Sequence, residues 1–180
     1  ARPRAGSKEE TVKVRGIEVM VALDVSNSML ASSSDSPSGV SRLQKSKLML
    51  EKLINKLGDD KVGLIVFAGN AYTQLPITSD FISAKMFLSS ISTEMVPTQG
   101  TAIGAAIKLA MNSFTPNENS QKAIIIITDG ENHEDDAIGM AKDAQEKGIQ
   151  VNVIGIGSPK GAPIPLGRPG EFLKDDNGQV

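Results

Sequence analysis

The sequence predicts an α/β domain built on a doubly wound, mostly parallel central sheet with helices on both faces. Apolar strand-like segments alternate with helical segments along the chain, which is the order that produces parallel sheets. Several of the strand segments are apolar at successive positions, as strands covered on both faces are. The length of 180 residues suits one domain with a single sheet.

The first half of the chain contains strand patterns and one long helical pattern. The β-branched run Ile17–Leu23 predicts a buried strand, although Glu18 lies near its start. A helical pattern begins at Ser41, places its leucines near one face, and ends at Gly58. The other strands predicted in this half are 61–68 and, at an edge of the sheet because it contains a proline, 70–78.

The second half of the chain adds helices and the most apolar strand of all, KAIIIITDG at 122–130. Either Ser79 or Asp80 is suited to cap the first of these helices, and Gly148 is suited to end the last one. The predicted helices are 80–91, 101–114 and 135–147, and a final strand is predicted at 149–155.

Three segments carry no regular pattern. Residues 1–16 are a polar arm, 31–39 form a serine-rich loop expected to be mobile, and the tail from 158 is rich in proline and glycine. The tail is expected to form a loop or small hairpin at the edge of the sheet. We therefore expect one domain over 17–180. Both ends look cut, which predicts a soluble fragment of a longer protein.

Composition excludes several classes of function. A formal net charge of −2 and an aromatic content of 3% disfavour nucleic-acid binding. The chain has no cysteine, which excludes disulfides and cysteine-based zinc sites. His133 is the only histidine, so multi-histidine metal sites are excluded, and it is expected to be a solvated side chain. No apolar run reaches the roughly 18–20 residues that span a bilayer.

Two aspartates follow predicted strands at their carboxyl ends. Asp24 ends the first strand and Asp129 ends the IIIIT strand. Ligands of open α/β sheets bind at the carboxyl ends of the strands, where the direction of winding changes. Two strands thus deliver a carboxylate to the same edge of the sheet, which indicates a site there.

The spacing of Asp24, Ser26 and Ser28 has two interpretations. If the chain stays extended after Asp24, these three side chains point to one side and can converge on one point. Such an all-oxygen cluster suits Mg²⁺ or Mn²⁺. The alternative is a capped turn without metal, because serine and aspartate commonly follow strands in that role.

A third polar segment is VPTQGTAIGAAIKLA, residues 96–110, where a loop runs into a helix. Thr101 either caps that helix or gives a hydroxyl to the metal, and Thr98 is the weaker candidate for the second role. Together with Asp24-x-Ser26-x-Ser28 and with Asp129 in ITDGEN, this segment resembles the von Willebrand factor type A (VWA) domain family, whose fold is Rossmann-like.

That resemblance implies a metal-ion-dependent adhesion site (MIDAS). Ser26, Ser28 and Thr101 would ligate Mg²⁺ or Mn²⁺ directly, while Asp24 and Asp129 would act largely through water when a ligand is bound. Neutral hydroxyl ligands leave the cation in need of one more anionic oxygen. An Asp or Glu of a partner protein would supply it, so the domain is expected to be a protein–protein interaction module rather than an enzyme.

A finer resemblance is to the bacterial BatA/BatB aerotolerance-operon proteins, and to BatB more than to BatA. It is carried by VRGIEVMVALDVSNSMLA and SRLQKSKLMLEKL. Such proteins flank a periplasmic VWA domain with membrane helices, which implies that residues 1–16 are a juxtamembrane remnant. Other components of a membrane complex are then possible partners. This chain departs from them in its longer serine-rich linker, ASSSDSPSGVSRL.

Two other functions compete with metal-dependent adhesion. A metal-dependent phosphatase would use the same strand-end aspartates, but position 26 is serine where that mechanism needs a second carboxylate. The glycine-rich nucleotide motifs and the G-x-S-x-G elbow of serine hydrolases are absent. The other competing hypothesis is a structural module without metal, which requires polar residues from three loops to converge by coincidence.

Overall fold

A computed structural model describes residues 16–33, 39–130 and 136–157. The predicted arm before Gly16, the middle of the serine-rich loop, His133 and the tail from 158 lie outside the described residues. The described strands are β1 (Ile17–Asp24), β2 (Lys61–Phe67), β3 (Ala71–Thr78), β4 (Gln121–Thr128) and β5 (Gln150–Gly155). The described α-helices are α1 (Arg42–Asn55), α2 (Phe81–Ser89), α3 (Ile103–Met111) and α4 (Ala137–Glu146).

The strands form one five-stranded sheet in the order β3-β2-β1-β4-β5. β1 pairs in parallel with both β2 and β4, and β4 pairs in parallel with β5. β3 runs antiparallel at the edge, where its proline needs no ladder partner, as predicted. After β1 the chain adds β2 and β3 on one side of it, and then crosses to add β4 and β5 on the other side. The direction of winding therefore changes at the carboxyl end of β1, and the predicted fold class is confirmed.

The central strand β1 packs one apolar layer on each face of the sheet. Val19, Val21 and Leu23 belong to the core beneath α1 and α2, whereas Met20 and Ala22 belong to the core beneath α3 and α4. Successive side chains of a strand point to opposite faces, so a strand between two helix layers must be apolar throughout. This is why the run before Asp24 shows no polar alternation.

Glu18 is the polar exception within β1, and hydrogen bonds explain its burial. Only 2% of its surface is exposed. Its carboxylate accepts hydrogen bonds from the Thr115 backbone N–H at 2.9 Å, from the Thr115 hydroxyl, and from the Ser120 hydroxyl at 2.7 Å. Burial raises the pKa of Glu18, but these bonds and the charge of Lys122 outweigh it and hold the pKa below its usual value. Glu18 thus fixes the loop between α3 and β4.

The starts of two helices follow from local capping. The Ser41 hydroxyl accepts a hydrogen bond from the Gln44 N–H at 3.0 Å and caps α1. Of the two cap candidates for α2, the structure uses Asp80, whose carboxylate accepts from the Ser83 N–H at 3.1 Å.

The helix predicted from residue 101 begins two residues later than expected, at Ile103. Its N-cap is Ala102, so Thr101 does not cap it. The Ala102 N–H donates instead to the Ala68 carbonyl, at 2.7 Å, just past the end of β2. This bond holds the chain in the strand-end loop and keeps Thr101 outside the helix.

Candidate functional site

Asp24 ends β1 with both carboxylate oxygens held by hydrogen bonds. Its side chain is fully buried. Oδ1 accepts from the Ser26 backbone N–H at 2.8 Å, and Oδ2 accepts from the Thr128 hydroxyl at 2.6 Å. Thr128 is the last residue of β4, so the carboxylate joins the ends of the two strands that flank the switch point. The Asp24 side chain is therefore fixed in one orientation.

Burial raises the pKa of Asp24 from 3.8 to about 6. The hydrogen bonds from Thr128 and Ser26 act against this shift, and the nearby charge of Asp129 adds to it. The hydrogen bonds to the ionised carboxylate of Asp24 therefore do not fully offset the free energy that it loses on leaving water. A cation placed beside it would supply the missing stabilisation.

Ser26 and Ser28 converge, but not through the extended chain that the sequence suggested. Ser26 is extended, and a short 3₁₀ helix follows at Asn27–Leu30, held in part by the Met29 N–H, which donates to the Ser26 carbonyl at 3.0 Å. In an extended strand, side chains two residues apart are about 6.6–6.8 Å apart. The turn brings the two hydroxyl oxygens to 3.1 Å instead. The two serine hydroxyls therefore lie together, and a turn rather than an extended chain brings them there.

This pair of hydroxyls matches the spacing that a small divalent cation requires. Two adjacent ligands of an octahedral ion at about 2.1 Å are about 3.0 Å apart, and the Ser26 and Ser28 oxygens are 3.1 Å apart. Without a cation, the same spacing is a hydrogen bond between the two hydroxyls. Among the described residues, no group of three or more His, Cys, Asp or Glu side chains could hold a metal. The hydroxyls of Ser26 and Ser28 are oxygen donors whose spacing fits such a cation.

Thr101 is brought to the same edge by backbone hydrogen bonds. The N–H of the next residue, Ala102, donates a hydrogen bond to the Ala68 carbonyl. Phe67, which precedes Ala68, accepts a hydrogen bond at 2.8 Å from the N–H of Val25, the residue that follows Asp24. Thr101 is only 2% exposed. This series of bonds places the Thr101 loop beside the end of β1.

A side-chain bond and a close backbone approach reinforce the placement of this loop. The Gln99 side-chain oxygen accepts from the Asn27 N–H at 3.1 Å. The Gly69 N–H donates to the Thr98 carbonyl at 2.7 Å, and a Cβ at Gly69 would lie 2.5 Å from the Gln99 carbonyl oxygen. Thr98 itself is exposed and its hydroxyl accepts a long 3.4 Å bond from Asn70. Of the two threonines, Thr101 is the one buried at the strand ends.

Asp129 lies at the end of β4 in an ion pair that the sequence did not reveal. The Arg42 Nη1 donates to Asp129 Oδ2 at 3.1 Å, and the two side chains are 14% and 1% exposed. Arg42 is the first residue of α1. The position of Arg42 in the sequence could have indicated this contact, because a helix that follows a strand starts at the carboxyl edge of a parallel sheet. Thr128, the donor to Asp24, was missed in the same way, although it directly precedes Asp129.

The chain is similar to several known proteins. A family model for the von Willebrand factor type A domain matches residues 18–164. BatB from Bacteroides thetaiotaomicron is 57% identical over 92% of this chain and 78% of that chain, with a TM-score of 0.76. A serine-substituted aerotolerance-related membrane protein from Bacteroides fragilis is also 57% identical, over 92% of this chain and 80% of its own, with a TM-score of 0.75. None of the described helices here is long and apolar enough to cross a membrane.

More distant proteins are also similar to this chain. An uncharacterized Borreliella burgdorferi protein is 30% identical over 88% of this chain, and the match spans 46% of that protein's length. Proximal thread matrix protein 1 from mussel byssus, with a zinc-occupied MIDAS motif, is 20% identical over 82% of this chain and 38% of its own, with a TM-score of 0.67. The family match covers most of the chain, and the sheet is mostly parallel with helices on both faces, as expected for that family. The chain therefore belongs to the von Willebrand factor type A domain family.

Proposed function

We propose that this domain binds a divalent cation at the carboxyl ends of β1 and β4 and uses it to hold an acidic side chain of a partner protein. The hydroxyls of Ser26, Ser28 and Thr101 would contact the ion directly. Asp24 and Asp129 would hold it largely through water. The observation that carries this proposal is the 3.1 Å spacing of the Ser26 and Ser28 hydroxyls beside the fixed, buried Asp24 carboxylate.

The charges of these residues favour an anionic partner. Hydroxyl ligands are neutral, and the Asp24 and Asp129 carboxylates already accept hydrogen bonds from Thr128 and Arg42. A divalent ion held in this way keeps part of its charge. When bound, the ion would supply a Lewis-acidic contact for a carboxylate, which the partner would contribute from an Asp or Glu. Mg²⁺ and Mn²⁺ both suit an all-oxygen ligand set.

A binding role accounts for Asp24 better than a phosphatase role. An aspartyl nucleophile needs a free oxygen facing the substrate, but both oxygens of Asp24 accept hydrogen bonds and the side chain is fully buried. Position 26, where a second carboxylate would act as the acid, is serine. VWA domains are in general interaction modules, and the two Bacteroides relatives are named as BatB and an aerotolerance-related membrane protein.

We extend the proposal to location by that similarity. The full-length protein would be anchored in a bacterial membrane, with residues 17–180 as a single domain in the periplasm and residues 1–16 leading to the membrane. Other proteins of a stress-related membrane complex would then be the source of the acidic partner. The similarity to the B. fragilis membrane protein supports this placement.

Calorimetry with Mn²⁺ and Mg²⁺ tests the metal site. We expect millimolar or tighter binding by the wild type, and loss of binding in Ser28→Ala and Thr101→Val, which remove one hydroxyl each. Thr101→Ser keeps the hydroxyl and should retain binding. Ser90→Ala removes a hydroxyl from an exposed position at the end of α2 and is the matched control. Absence of binding by the wild type at millimolar concentrations of both ions would refute the proposal.

A second experiment tests the partner. The immobilised domain is mixed with membrane extract in Mg²⁺ or in EDTA, and retained proteins are identified by mass spectrometry. A partner that is retained only with Mg²⁺, is lost with Ser28→Ala, and loses binding when one of its own Asp or Glu residues becomes amide would support the proposal. Retention that EDTA and Ser28→Ala leave unchanged would contradict it.

A further inference from the structure

We propose that Arg42 sets the charge of this site, weakening its hold on the cation and strengthening its hold on an anionic ligand of the cation-loaded site. Arg42 would then be a specificity-determining residue for acidic partners. The inference rests on the metal site proposed above and concerns a residue outside the five proposed ligands.

The guanidinium of Arg42 lies among the residues of the site. Its Nη1 donates to Asp129 Oδ2 at 3.1 Å and is 3.5 Å from the carbonyl oxygen of Ser28. It therefore lies between the 3₁₀ helix that follows β1 and the residue that follows β4. The Asp129 side chain is 1% exposed, so the pair is shielded from solvent on the carboxylate side. Charges that are partly buried interact more strongly than surface charges and are screened less by salt.

The backbone and the surroundings of Arg42 hold this side chain in place. Its N–H donates to the Ala31 carbonyl at 2.8 Å, and its carbonyl accepts from the Ser46 hydroxyl, also at 2.8 Å. On the other side, Gly157, which follows β5, lies near the guanidinium. A Cβ at Gly157 would lie 3.6 Å from Arg42 Cζ. Arg42 is thus a fixed part of the strand edge and differs from a mobile surface arginine.

The charges at the edge then give the proposed effect. Asp24 and Asp129 carry two negative charges when ionised, and a divalent cation would balance both. Arg42 adds one positive charge, so these three side chains and the ion together carry a net positive charge. That charge repels the cation and draws Asp129 toward the guanidinium, which weakens cation binding. The same charge attracts a carboxylate that approaches the loaded site, which strengthens ligand binding.

These two effects have opposite signs, which separates the proposal from a purely structural role. If Arg42 only supported the fold of the edge, its removal would weaken cation binding and carboxylate binding together. If it sets the charge, its neutralisation tightens cation binding and weakens carboxylate binding. A single unit charge a few ångströms from a partly buried site changes affinity on the order of tenfold.

The test compares Arg42→Gln with wild type in two titrations. The first measures the dissociation constant for Mn²⁺ by calorimetry. The second titrates acetate into the Mn²⁺-loaded protein and follows displacement of metal-bound water by water-proton relaxation. We expect Arg42→Gln to bind Mn²⁺ on the order of tenfold more tightly and acetate on the order of tenfold more weakly. Arg42→Lys keeps the charge and should stay near wild type in both.

Lys52→Gln is the matched control, because it removes the same charge from an exposed position on α1, ten residues or about 15 Å along the helix. Its constants should equal those of wild type. Arg42→Met gives the same comparison if Arg42→Gln is unstable in thermal unfolding. If wild type binds Mn²⁺ and neither neutral variant binds it more tightly, or if acetate affinity does not fall, the inference is overturned and the metal site stands. If wild type binds no Mn²⁺, the metal site and this inference both fail.

Discussion

The substitution Asp24→Asn should stabilise the metal-free domain at neutral pH while removing its metal binding. Burial of the ionised Asp24 carboxylate is unfavourable, as its raised pKa shows. Asparagine has the same shape, carries no charge, and can still accept the hydrogen bond that Oδ1 receives from the Ser26 N–H. Its amide group would face the Thr128 oxygen, which can accept a hydrogen bond.

The magnitude follows from the shift in pKa. Because the folded-state pKa lies above the unfolded value, Asp24 favours folding while it is protonated, and that contribution is lost as pH rises from 3.8 through about 6. A shift of about 2 units corresponds to about 3 kcal/mol against folding above pH 6. Between about pH 4.5 and about pH 7.5, the stability advantage of Asp24→Asn over wild type should therefore widen by about 2 kcal/mol.

Urea unfolding in EDTA at these two pH values measures the difference. Comparing variant with wild type cancels the other carboxylates, including Glu18, whose lowered pKa acts in the opposite direction. Asp143→Asn removes the same formal charge from an exposed position on α4 and is the matched control for net charge. If the advantage of Asp24→Asn does not widen with rising pH, or narrows, the desolvation argument for Asp24 is wrong.

Three further outcomes test other parts of the structure. Gly69→Ala places a Cβ 2.5 Å from the Gln99 carbonyl oxygen, so it should lower the free energy of unfolding by about 1–3 kcal/mol in urea and weaken Mn²⁺ binding in calorimetry. Gly58→Ala is the control, because a Cβ there would have no atom within 4 Å, and it should change neither quantity. Glu18→Gln replaces a carboxylate that accepts from Thr115 and Ser120 by an amide with one acceptor oxygen, and it should lower the free energy of unfolding by about 2 kcal/mol at neutral pH. The loss should be smaller in acid, where the wild-type carboxylate becomes protonated, and an equal loss at both pH values would contradict this role of Glu18. Mn²⁺ affinity of the wild type should fall as pH drops through about 6, because Asp24 becomes protonated there, and calorimetry across that range checks it.

The sequence alone determined the fold class and the edge at which the site is proposed. The apolar run before Asp24 and the run before Asp129 have the pattern of strands buried on both faces, and that pattern depends only on each strand's own surroundings. The proline in 70–78 placed β3 at the edge for a similarly local reason. Once the sheet is parallel, the carboxyl ends of its strands share one edge, so Asp24 and Asp129 had to meet there.

Only the tertiary structure decided which side chains are partners at that edge. Thr128 donates to Asp24 across 104 residues of sequence, and Arg42 pairs with Asp129 across 87. Such contacts depend on the register of β1 against β4 and on where α1 begins. The hydrophobic periodicity of a single segment predicts neither of these. The same holds for Thr101, which local rules allowed as a helix cap and which the bond from Ala102 to Ala68 keeps out of the helix. A strand or helix pattern reports the surroundings of its own residues, whereas the spacing between residues of different elements is set when those elements pack together.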